Sequence, residues 1–563
     1  MKKTSLFLSI VAFSTGCLFI LLSVWTGLSI QGYKSPLSSY KNDTMEHGSP
    51  ITEKVVFVVV DGLRYDISCK MSFLNTLREN GSDLVSWTNI PSLSYPGWSA
   101  LLTGARPEVT GKILNWGDVA LRTENLFSVT YEMGVGNSLI GCPDWWLLLG
   151  DNITGGEKIE GTGDFVAADL EVKNAALRIL RNPPSLTLIH FLSVDVAGHL
   201  YGGASEGYLS RAREIDSYIK EIAGMLDWNT TTLIVTSDHG HRDVGGHGGE
   251  EASSRKSFAV FYGKGIRKVR GEIDQIDICP TISNLLGLKI PSSAQGRILF
   301  ECLDQSQENR AVYAYLLLKQ RYFFSKAYLN STGAEIQLNS SYMENAYAEI
   351  LVGNFTNAEA LSNKGVEEYN SMIEMSRESR IIDQQMNVGL FSFLGLLLSV
   401  WFVFMMFRRE HLNIRELLVP TLLAGAILSV YFSIFFMIGM DFSFSVFNET
   451  SDVLKAILIS FFVPGLLLFV SVTLYGYFTR RQQGHLGVKT LGVGMYGLIL
   501  VFFTLFISVN GIAYGFVFTD FVTHIDEFMR VFLGGFICAG LLMYLGAALP
   551  LVEWINNRFV REP

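Results

Sequence analysis

Six long apolar runs constrain what this chain can fold into more than any other feature of its sequence. The first covers residues 4–30, and five more lie near residues 386–407, 417–439, 454–478, 490–513 and 529–552. About 20 apolar residues are enough to cross a bilayer as a helix. The runs also explain why only 17% of the residues are charged. We therefore predict an α-helical transmembrane domain over residues 386–563, in addition to the first run.

The first apolar run follows Lys2 and Lys3, as the hydrophobic region of a signal peptide follows its basic start. It is long for a cleaved signal peptide, and no small-x-small cleavage site followed by polar sequence ends it. These features favour a retained signal-anchor helix over residues 1–30. A cleaved signal peptide is the alternative.

The basic residues beside the apolar runs predict the orientation of the chain. Together with Lys2 and Lys3 they all fall on one side of the membrane, which the positive-inside rule makes cytoplasmic. They are Arg408, Arg409, Arg415, Arg480, Arg481, Lys489, Arg558 and Arg561. We thus expect a multi-pass membrane protein with residues 31–385 outside the cell or in the lumen of the endoplasmic reticulum. All sequons for N-glycosylation fall on that side: Asn42, Asn80, Asn152, Asn229, Asn330, Asn339, Asn354 and Asn448.

Two functional classes have little support in the sequence. The net charge is −9 and no long basic block lies outside the membrane-flanking loops, so nucleic-acid binding is not indicated. A transporter, or a receptor with an inactive outer domain, is a remote alternative. Ionisable groups inside spans mark ion and proton routes, but the cores of the five C-terminal runs contain no Asp, Glu, Lys or Arg.

The cysteines suggest covalent cross-links in the outer block. Disulfides persist in an oxidising compartment, so we expect one or two bridges there, although the spacing leaves their pairing open. The outer cysteines are Cys69, Cys142, Cys279 and Cys302, and the apolar runs hold Cys17 and Cys538.

The outer block alternates short apolar strands with helices. The strand candidates are rich in β-branched and aromatic residues, as buried parallel strands are, and cover residues 55–60, 187–194, 231–237 and 258–263. Residues 204–228 carry apolar side chains at a spacing of three to four, which predicts an amphipathic helix. This pattern predicts an α/β fold, a sheet sandwiched by helices.

Acidic residues follow three of the predicted strands, at Asp61, Asp195 and Asp238. One such acid is usually a helix cap, but ligands of open α/β sheets gather at the carboxyl ends of the strands, and here His199 and His239 accompany the acids. Carboxylates crowded together resist ionisation, so a cation is expected among them. Mixed oxygen and nitrogen donors suit zinc or manganese.

The segment 237–249 reads SDHGHRDVGGHGG and holds three of the nine histidines of the chain. Its glycines allow tight turns that would bring His239 and His247 towards one point. A flexible surface loop is the alternative interpretation, but it explains neither DHGH nor the upstream DVAGH. His241 has no evident ligand role from its spacing, and either an outer hydrogen-bonding role or a solvated side chain is compatible with the sequence.

The segment 89–115 supplies a candidate nucleophile. It carries Ser92 and Ser94 before Pro96. A serine at the start of a helix is most often a cap. Beside a metal ion, however, its hydroxyl loses its proton more readily and becomes a nucleophile.

These motifs together resemble the alkaline phosphatase superfamily. Asp61-Gly, SYPG with TGARPE and Asn115, DVAGH, SDHG and GGHGG occur in the order of its branch of nucleotide pyrophosphatase/phosphodiesterases and glycosylphosphatidylinositol (GPI) ethanolamine-phosphate transferases. The stretch IDICPTISNLLGLKIP at 276–291 resembles the end of that catalytic core. The resemblance covers roughly residues 55–296.

The resemblance implies two divalent metal ions, zinc or alternatively manganese, and a covalent phosphoserine. Ser94 takes the place of the nucleophile, Ser92 is the weaker candidate, and Asn115 matches the asparagine that binds phosphate oxygen. One metal would be held by Asp61, Ser94, Asp238 and His239. The second would be held by Asp195, His199 and His247. The sequence departs from the pattern in having serine where threonine is common and His241 where methionine is usual.

The function implied is two-metal phosphoryl transfer on phosphodiesters. The closeness of His247 to SDHG and the C-terminal spans favour a phosphoethanolamine-type transferase that moves a phospholipid head group to a lipid-linked or glycan acceptor. A nucleotide pyrophosphatase/phosphodiesterase is the alternative, supported by TGARPEVTG and Asn115. The transferases usually have more C-terminal spans than five. We expect a catalytic domain at 31–302 and a juxtamembrane connector at 303–385; no protein partner is indicated.

Overall fold

The computed structural model describes residues 3–559 except 43, 162, 335, 411–413, 448, 480–484 and 515–524. It forms two compact units, one of Tyr33–Arg380 and one of Met1–Gly32 with Ile381–Pro563. The predictions that concern Lys2, Arg480, Arg481, Asn448 and Arg561 lie outside the described residues. We describe each unit by itself.

The second unit is built from long apolar helices. Among the described residues six stretches are long and apolar enough to cross a membrane: Leu6–Gln31, Ser392–Arg409, Leu418–Met437, Thr450–Phe478, Thr490–Asn510 and Ile525–Ile555. They lie in the helices Lys3–Gln31, Phe355–Glu410, Leu418–Met437, Thr450–Thr479, His485–Tyr514 and Ile525–Phe559. The described part of the chain thus contains the helices that the apolar runs predict.

The outer unit contains one eight-stranded sheet. In chain order its strands are β1 Lys54–Val60, β2 Ser82–Trp87, β3 Asn137–Gly141, β4 Gly156–Lys158, β5 Leu186–Phe191, β6 Thr231–Thr236, β7 Lys256–Gly263 and β8 Arg270–Asp274. Their order across the sheet is β4-β3-β5-β1-β6-β7-β2-β8. The parallel strands β5, β1 and β6 therefore lie side by side at its centre, where they end close together.

Helices cover both faces of this sheet, which confirms the predicted sandwich. They are Tyr65–Ser68, Ser72–Asn80, Ser94–Thr103, Pro107–Thr110, Leu126–Glu132, Asp144–Leu149, Phe165–Ile179, Ser193–Tyr201, Glu206–Ala223, Ala252–Arg255, Ile278–Leu286, Gln307–Ser331 and Ser341–Leu351, followed by the start of Phe355–Glu410. The side chains of β1 alternate between two buried clusters: Phe57 packs in one and Val58 in the other. That alternation is the two-residue period of a strand buried on both faces.

Two details of the strands differ from the sequence predictions. β7 is antiparallel to both of its neighbours, β6 and β2, because apolar composition marks burial but not direction. β5 ends at Phe191, and Ser193 already begins a helix. The carboxylate of Asp169 accepts the N–H groups of Leu192 (3.0 Å) and Ser193 (2.9 Å), so a residue distant in sequence caps that helix.

The disulfides expected in the outer block are absent: all six cysteines of the chain are free. Cys279 is buried and its thiol donates to the carbonyl of Leu102, while Cys69 is exposed. Cys142 lies beside His190, 3.9 Å from its Nδ1. The cysteines thus occupy unrelated places in the fold, which their spacing in the sequence cannot reveal.

Gly62, just after β1, lets the central strands end close to one another. Its φ is +67°, and a Cβ at this position would lie 2.7 Å from Oδ1 of Asp195. Any residue with a Cβ at this position would displace that carboxylate.

We predict that Gly62→Ala destabilises the outer unit more than Gly134→Ala does. Gly134 has almost the same φ, +66°, but a Cβ added there would meet only open space. Gly134→Ala should therefore cost only the left-handed strain, about 1–2 kcal/mol, whereas Gly62→Ala should add the collision with Asp195. Unfolding measured by tryptophan fluorescence compares the two variants. Equal losses of stability would show that Gly62 is required for its φ alone.

Candidate metal centre

The acids predicted at strand ends lie together at the carboxyl edge of β5, β1 and β6. Asp61 directly follows β1, and Asp238 lies two residues beyond β6. Asp195 belongs to the first turn of the helix Ser193–Tyr201, four residues beyond the end of β5. All three side chains are buried or nearly so. The sheet topology thus gathers residues that are more than 170 positions apart in the chain.

The first group of possible ligands consists of Asp61, Asp238 and His239, with Ser94 beside them. Nε2 of His239 lies 3.4 Å from Oδ1 of Asp61 and 3.4 Å from Oδ2 of Asp238. The same nitrogen lies 3.3 Å from Oγ of Ser94. Within the described residues, those two carboxylate oxygens have no hydrogen-bond partner although they are buried. Buried acceptors without a donor call for another partner, and a cation suits them.

Every other donor or acceptor of this group is occupied. Oδ1 of Asp238 accepts the N–H groups of Gly62 and His239, both at 3.0 Å. Nδ1 of His239 lies 3.1 Å from the carbonyl of Gly240, which keeps the proton on Nδ1 and leaves Nε2 unprotonated. The free atoms therefore converge on one point.

The second group contains Asp195, His199 and His247, together with His241. Nε2 of His199 lies 3.1 Å from Nε2 of His247 and 3.3 Å from Oδ2 of Asp195. Nε2 of His247 lies 3.5 Å from Oδ1 of Asp195. Nδ1 of His247 donates to the carbonyl of Ser92 at 3.0 Å, so its Nε2 is also unprotonated.

These distances fit divalent metal ions. Zinc bound tetrahedrally at about 2.0–2.2 Å holds neighbouring ligand atoms about 3.3–3.6 Å apart. The contacts of His239 measure 3.3–3.4 Å, and those of Asp195 with His199 and His247 measure 3.3 and 3.5 Å; the two histidine nitrogens of the second group lie 3.1 Å apart, below that range. Both groups therefore have the donor types of zinc-like sites, and all but this one contact have the spacing.

The pKa shifts of the aspartates in the two groups also favour bound cations. Burial raises the pKa of Asp61 well above its usual range, and the charges of Asp238 and Asp195 raise it further. Burial also raises the pKa of Asp238. For Asp195 burial opposes ionisation, but His199 and His241 hold the pKa well below its usual value. Cations beside these carboxylates would relieve the repulsion.

His241 is fully buried, so the solvated alternative for this residue is wrong. Its Nε2 lies 2.7 Å from Oδ1 of Asp195. Room for the ring exists because residue 198 is glycine: a Cβ there would lie 2.5 Å from the ring of His241. Burial lowers the pKa of His241 to about 4, so the ring is neutral.

His190 lies in β5 and contacts Asp61, although no sequence motif indicates a role for it. Its Nε2 lies 2.9 Å from Oδ2 of Asp61, and both side chains are fully buried. The rings of Trp98 and Trp145 meet it edge-on at 4.9 Å and 5.4 Å. Burial lowers the pKa of His190 to about 3. A polar residue inside an otherwise apolar buried strand was the available signal.

Ser94 begins the helix Ser94–Thr103, so its hydroxyl lies at a helix N-terminus, where anions bind. The N–H of Tyr95 donates to Oδ1 of Asn115 at 3.0 Å, which fixes the amide of Asn115 beside the nucleophile candidate. Ser92 is used structurally: its hydroxyl donates to the carbonyl of Gly249 (2.9 Å) and accepts the N–H of Gly248 (3.1 Å).

Comparison with known proteins finds the family that the motifs indicate. Residues 55–148 and 158–253 match the type I phosphodiesterase / nucleotide pyrophosphatase family. The chain is 27% identical over 298 residues to GPI ethanolamine phosphate transferase 2 of Kluyveromyces lactis, covering 45% of this chain and 37% of that protein. The protein of the same name from Schizosaccharomyces pombe is 31% identical over 291 residues, 44% of this chain and 38% of the relative.

The chain thus spans less than two fifths of the length of these relatives. Among solved structures, human ectonucleotide pyrophosphatase / phosphodiesterase 5 matches with 15% identity and a TM-score of 0.39, over 45% of this chain and all of that one. The family match confirms the resemblance predicted from the motifs.

We predict that a chelator lowers the melting temperature of the outer unit, and does so more at pH 7 than at pH 5. A raised pKa at Asp61 means that the metal-free folded state binds a proton more tightly than the unfolded chain. The contribution of Asp61 to the stability of that state therefore falls as pH rises above the ordinary value of about 4. A bound cation removes that penalty, and added zinc should restore the melting temperature. An unchanged melting temperature after EDTA treatment would contradict the metal centre.

Proposed function

We propose that this chain, whose residues 55–148 and 158–253 match the type I phosphodiesterase / nucleotide pyrophosphatase family, is a membrane-embedded phosphotransferase acting on phosphodiesters through a phospho-Ser94 intermediate. Its preferred activity is that of a phosphoethanolamine-type transferase, which moves a phospholipid head group to a lipid-linked or glycan acceptor. The observation that carries the proposal is the position of Ser94, 3.3 Å from a histidine of one metal-like group at the edge of the sheet.

The proposed cofactors are two divalent ions, with zinc preferred over manganese because of the nitrogen donors. The residues that would hold the first are Asp61, Ser94, Asp238 and His239. Those that would hold the second are Asp195, His199 and His247. Such a pair would supply Lewis acidity and would let a hydroxyl react near neutral pH.

In the first proposed step, Ser94 Oγ gives up its proton and forms a bond to phosphorus, while the bond from phosphorus to the lipid alcohol breaks. The alcohol leaves with a proton. In the second step an acceptor hydroxyl gives up its proton and forms a bond to phosphorus, while the bond from phosphorus to Ser94 Oγ breaks and Oγ regains a proton. The amide nitrogen of Asn115 and the backbone N–H of Ser94 would stabilise the charged phosphate oxygens, since the N–H of Tyr95 is used by Asn115.

Two observations favour the transferase over the nucleotide pyrophosphatase/phosphodiesterase. The relatives carry the name GPI ethanolamine phosphate transferase 2. The chain also has six helices within its described residues that are suited to a bilayer, where a lipid donor and a lipid-linked acceptor are found. The family description keeps nucleotide hydrolysis as the second candidate.

The domain boundaries and the location belong to the same proposal. A signal-anchor at 1–30 and a membrane domain at 386–563 would flank a catalytic domain at 31–302 and a connector at 303–385. The helix Gln307–Ser331 within that connector also packs Tyr313 and Leu317 into the core of the sheet. We propose that the catalytic domain faces the cell exterior or the lumen of the endoplasmic reticulum.

We predict that purified protein with zinc turns over labelled phosphatidylethanolamine, and that Ser94→Ala reduces this turnover at least about 10³-fold because it removes the nucleophile. Ser99→Ala is the matched control, since Ser99 is buried on the same helix and belongs to neither ligand group. Parallel assays use p-nitrophenyl-TMP. Fast cleavage of this nucleotide without lipid turnover would overturn the transferase, and persistent turnover by Ser94→Ala would overturn the nucleophile.

We also predict that the outer unit is N-glycosylated in eukaryotic cells. Asn80 and Asn229 are exposed sequons of this unit. Treatment with a glycosidase should increase the electrophoretic mobility of the chain, and Asn229→Gln should remove one glycan's worth of mass. Digestion of this unit by protease added to the cytoplasmic side of sealed microsomes would refute the proposed orientation.

A further inference from the structure

We infer that His190 and His241 are positioning residues of the two metal groups: each donates its Nε2–H to one oxygen of a ligand aspartate and thereby selects the other oxygen for the metal. The pairs are His190 with Asp61 and His241 with Asp195. This inference rests on the two-metal centre proposed above and assigns roles to two histidines that this proposal does not use.

The distances separate these histidines from the ligands. Nε2 of His190 lies 2.9 Å from Oδ2 of Asp61, and Nε2 of His241 lies 2.7 Å from Oδ1 of Asp195. Those are hydrogen-bond lengths. The contacts of His239 are 3.3–3.4 Å, the spacing of two atoms that share a metal. Two atoms joined by a hydrogen bond at 2.7 Å are too close to be neighbouring tetrahedral ligands.

The contacts of Nδ1 distinguish His239 and His247 from His190 and His241. His239 and His247 each have Nδ1 within 3.1 Å of a backbone carbonyl, which holds the proton there and frees Nε2 for a metal. Nδ1 of His241 has no hydrogen-bond partner among the described residues, and the neighbour of Nδ1 in His190 is the thiol of Cys142 at 3.9 Å. With no carbonyl at Nδ1, the proton of these rings belongs on Nε2, facing the carboxylate.

The carboxylate oxygens show the consequence. With Oδ2 of Asp61 taken by His190, Oδ1 is the orphaned atom that lies 3.4 Å from Nε2 of His239. With Oδ1 of Asp195 held by His241, the other oxygen, Oδ2, lies 3.3 Å from Nε2 of His199, while Nε2 of His247 lies 3.5 Å from Oδ1 itself. Each hydrogen bond thus leaves one oxygen of an aspartate without a histidine donor, and that oxygen lies beside the nitrogen of a proposed ligand. Hydrogen bonds of this kind orient a ligand and strengthen metal binding.

His241 carries particular weight because the resembled family usually has methionine at this position. Methionine can fill the same buried volume but cannot donate a hydrogen bond to Asp195. The second metal group of this chain should therefore depend on a contact that a methionine does not supply. Gly198 leaves room for the fully buried ring that makes this contact.

The test measures zinc binding by the full-length protein in detergent, by chelator competition. His241→Met should weaken binding of one of the two zinc ions about 10–100-fold and leave the other unchanged. His241→Gln, whose amide can donate from nearly the same place as Nε2, should recover most of that loss. His190→Phe and His190→Gln form the matched pair for the other ion.

Two outcomes would overturn the inference. Unchanged zinc affinity in His241→Met and His190→Phe would mean that the rings only fill space. Equal loss in His241→Gln and His241→Met, with a changed visible spectrum of the Co²⁺-substituted protein, would mean that His241 is itself a ligand. Melting curves with saturating zinc identify a variant that fails to fold. In that case the zinc affinity of the glutamine variant at the same position is compared with that of the wild type.

This test separates the inference from the proposed function. Zinc affinity is read without any substrate, so wild-type protein that binds two zinc ions but does not turn over lipid or nucleotide would refute the function and leave the positioning roles intact. If the wild-type protein binds zinc and transfers phosphoethanolamine, but the histidine variants have unchanged zinc affinity, the positioning roles would be refuted and the proposed function would stand. Wild-type protein that binds no zinc would refute both.

Discussion

Electrostatic repulsion among the buried carboxylates of Asp61, Asp195 and Asp238 is the constraint on which the rest of the outer unit depends. The central strands bring the three acids to one edge, where burial removes the water that would otherwise screen them. A folded chain tolerates such a cluster only if the charges are protonated, hydrogen-bonded or neutralised by cations. The side chains around the cluster favour neutralisation by cations. The carboxylate oxygens that lack a hydrogen bond, Oδ1 of Asp61 and Oδ2 of Asp238, both face the unprotonated Nε2 of His239.

The partner of Nδ1 determines whether Nε2 of a histidine in this centre carries a lone pair or a proton. A backbone carbonyl at Nδ1 of His239 and of His247 exposes a lone pair on Nε2, while the absence of such a carbonyl at His241, among the residues described, exposes a proton instead. The backbone thus sets one tautomer for His239 and His247 and leaves the other to His241. This division needs no charged histidine, in keeping with the low pKa values of His190 and His241.

Much of this arrangement could be predicted from the sequence, and the exceptions have physical reasons. The apolar β-branched runs indicated the central strands, and the acids that follow them located the site, because parallel strands end at one edge. The direction of β7 was missed, since two-sided burial leaves the same apolar pattern in either direction. The start of the helix at Ser193 was missed because its cap, Asp169, comes from another helix. His190 and the burial of His241 were missed because their partners lie 129 and 46 residues away in the chain.

The hydrogen bonds of Ser92 have a consequence for how the protein is made. The hydroxyl and carbonyl of Ser92 hold Gly248, Gly249 and His247, which are synthesised about 155 residues later. The segment that leads to Ser94 therefore lacks its support until the ribosome has passed residue 249. A nascent chain therefore cannot complete this centre before residues 247–249 have been synthesised.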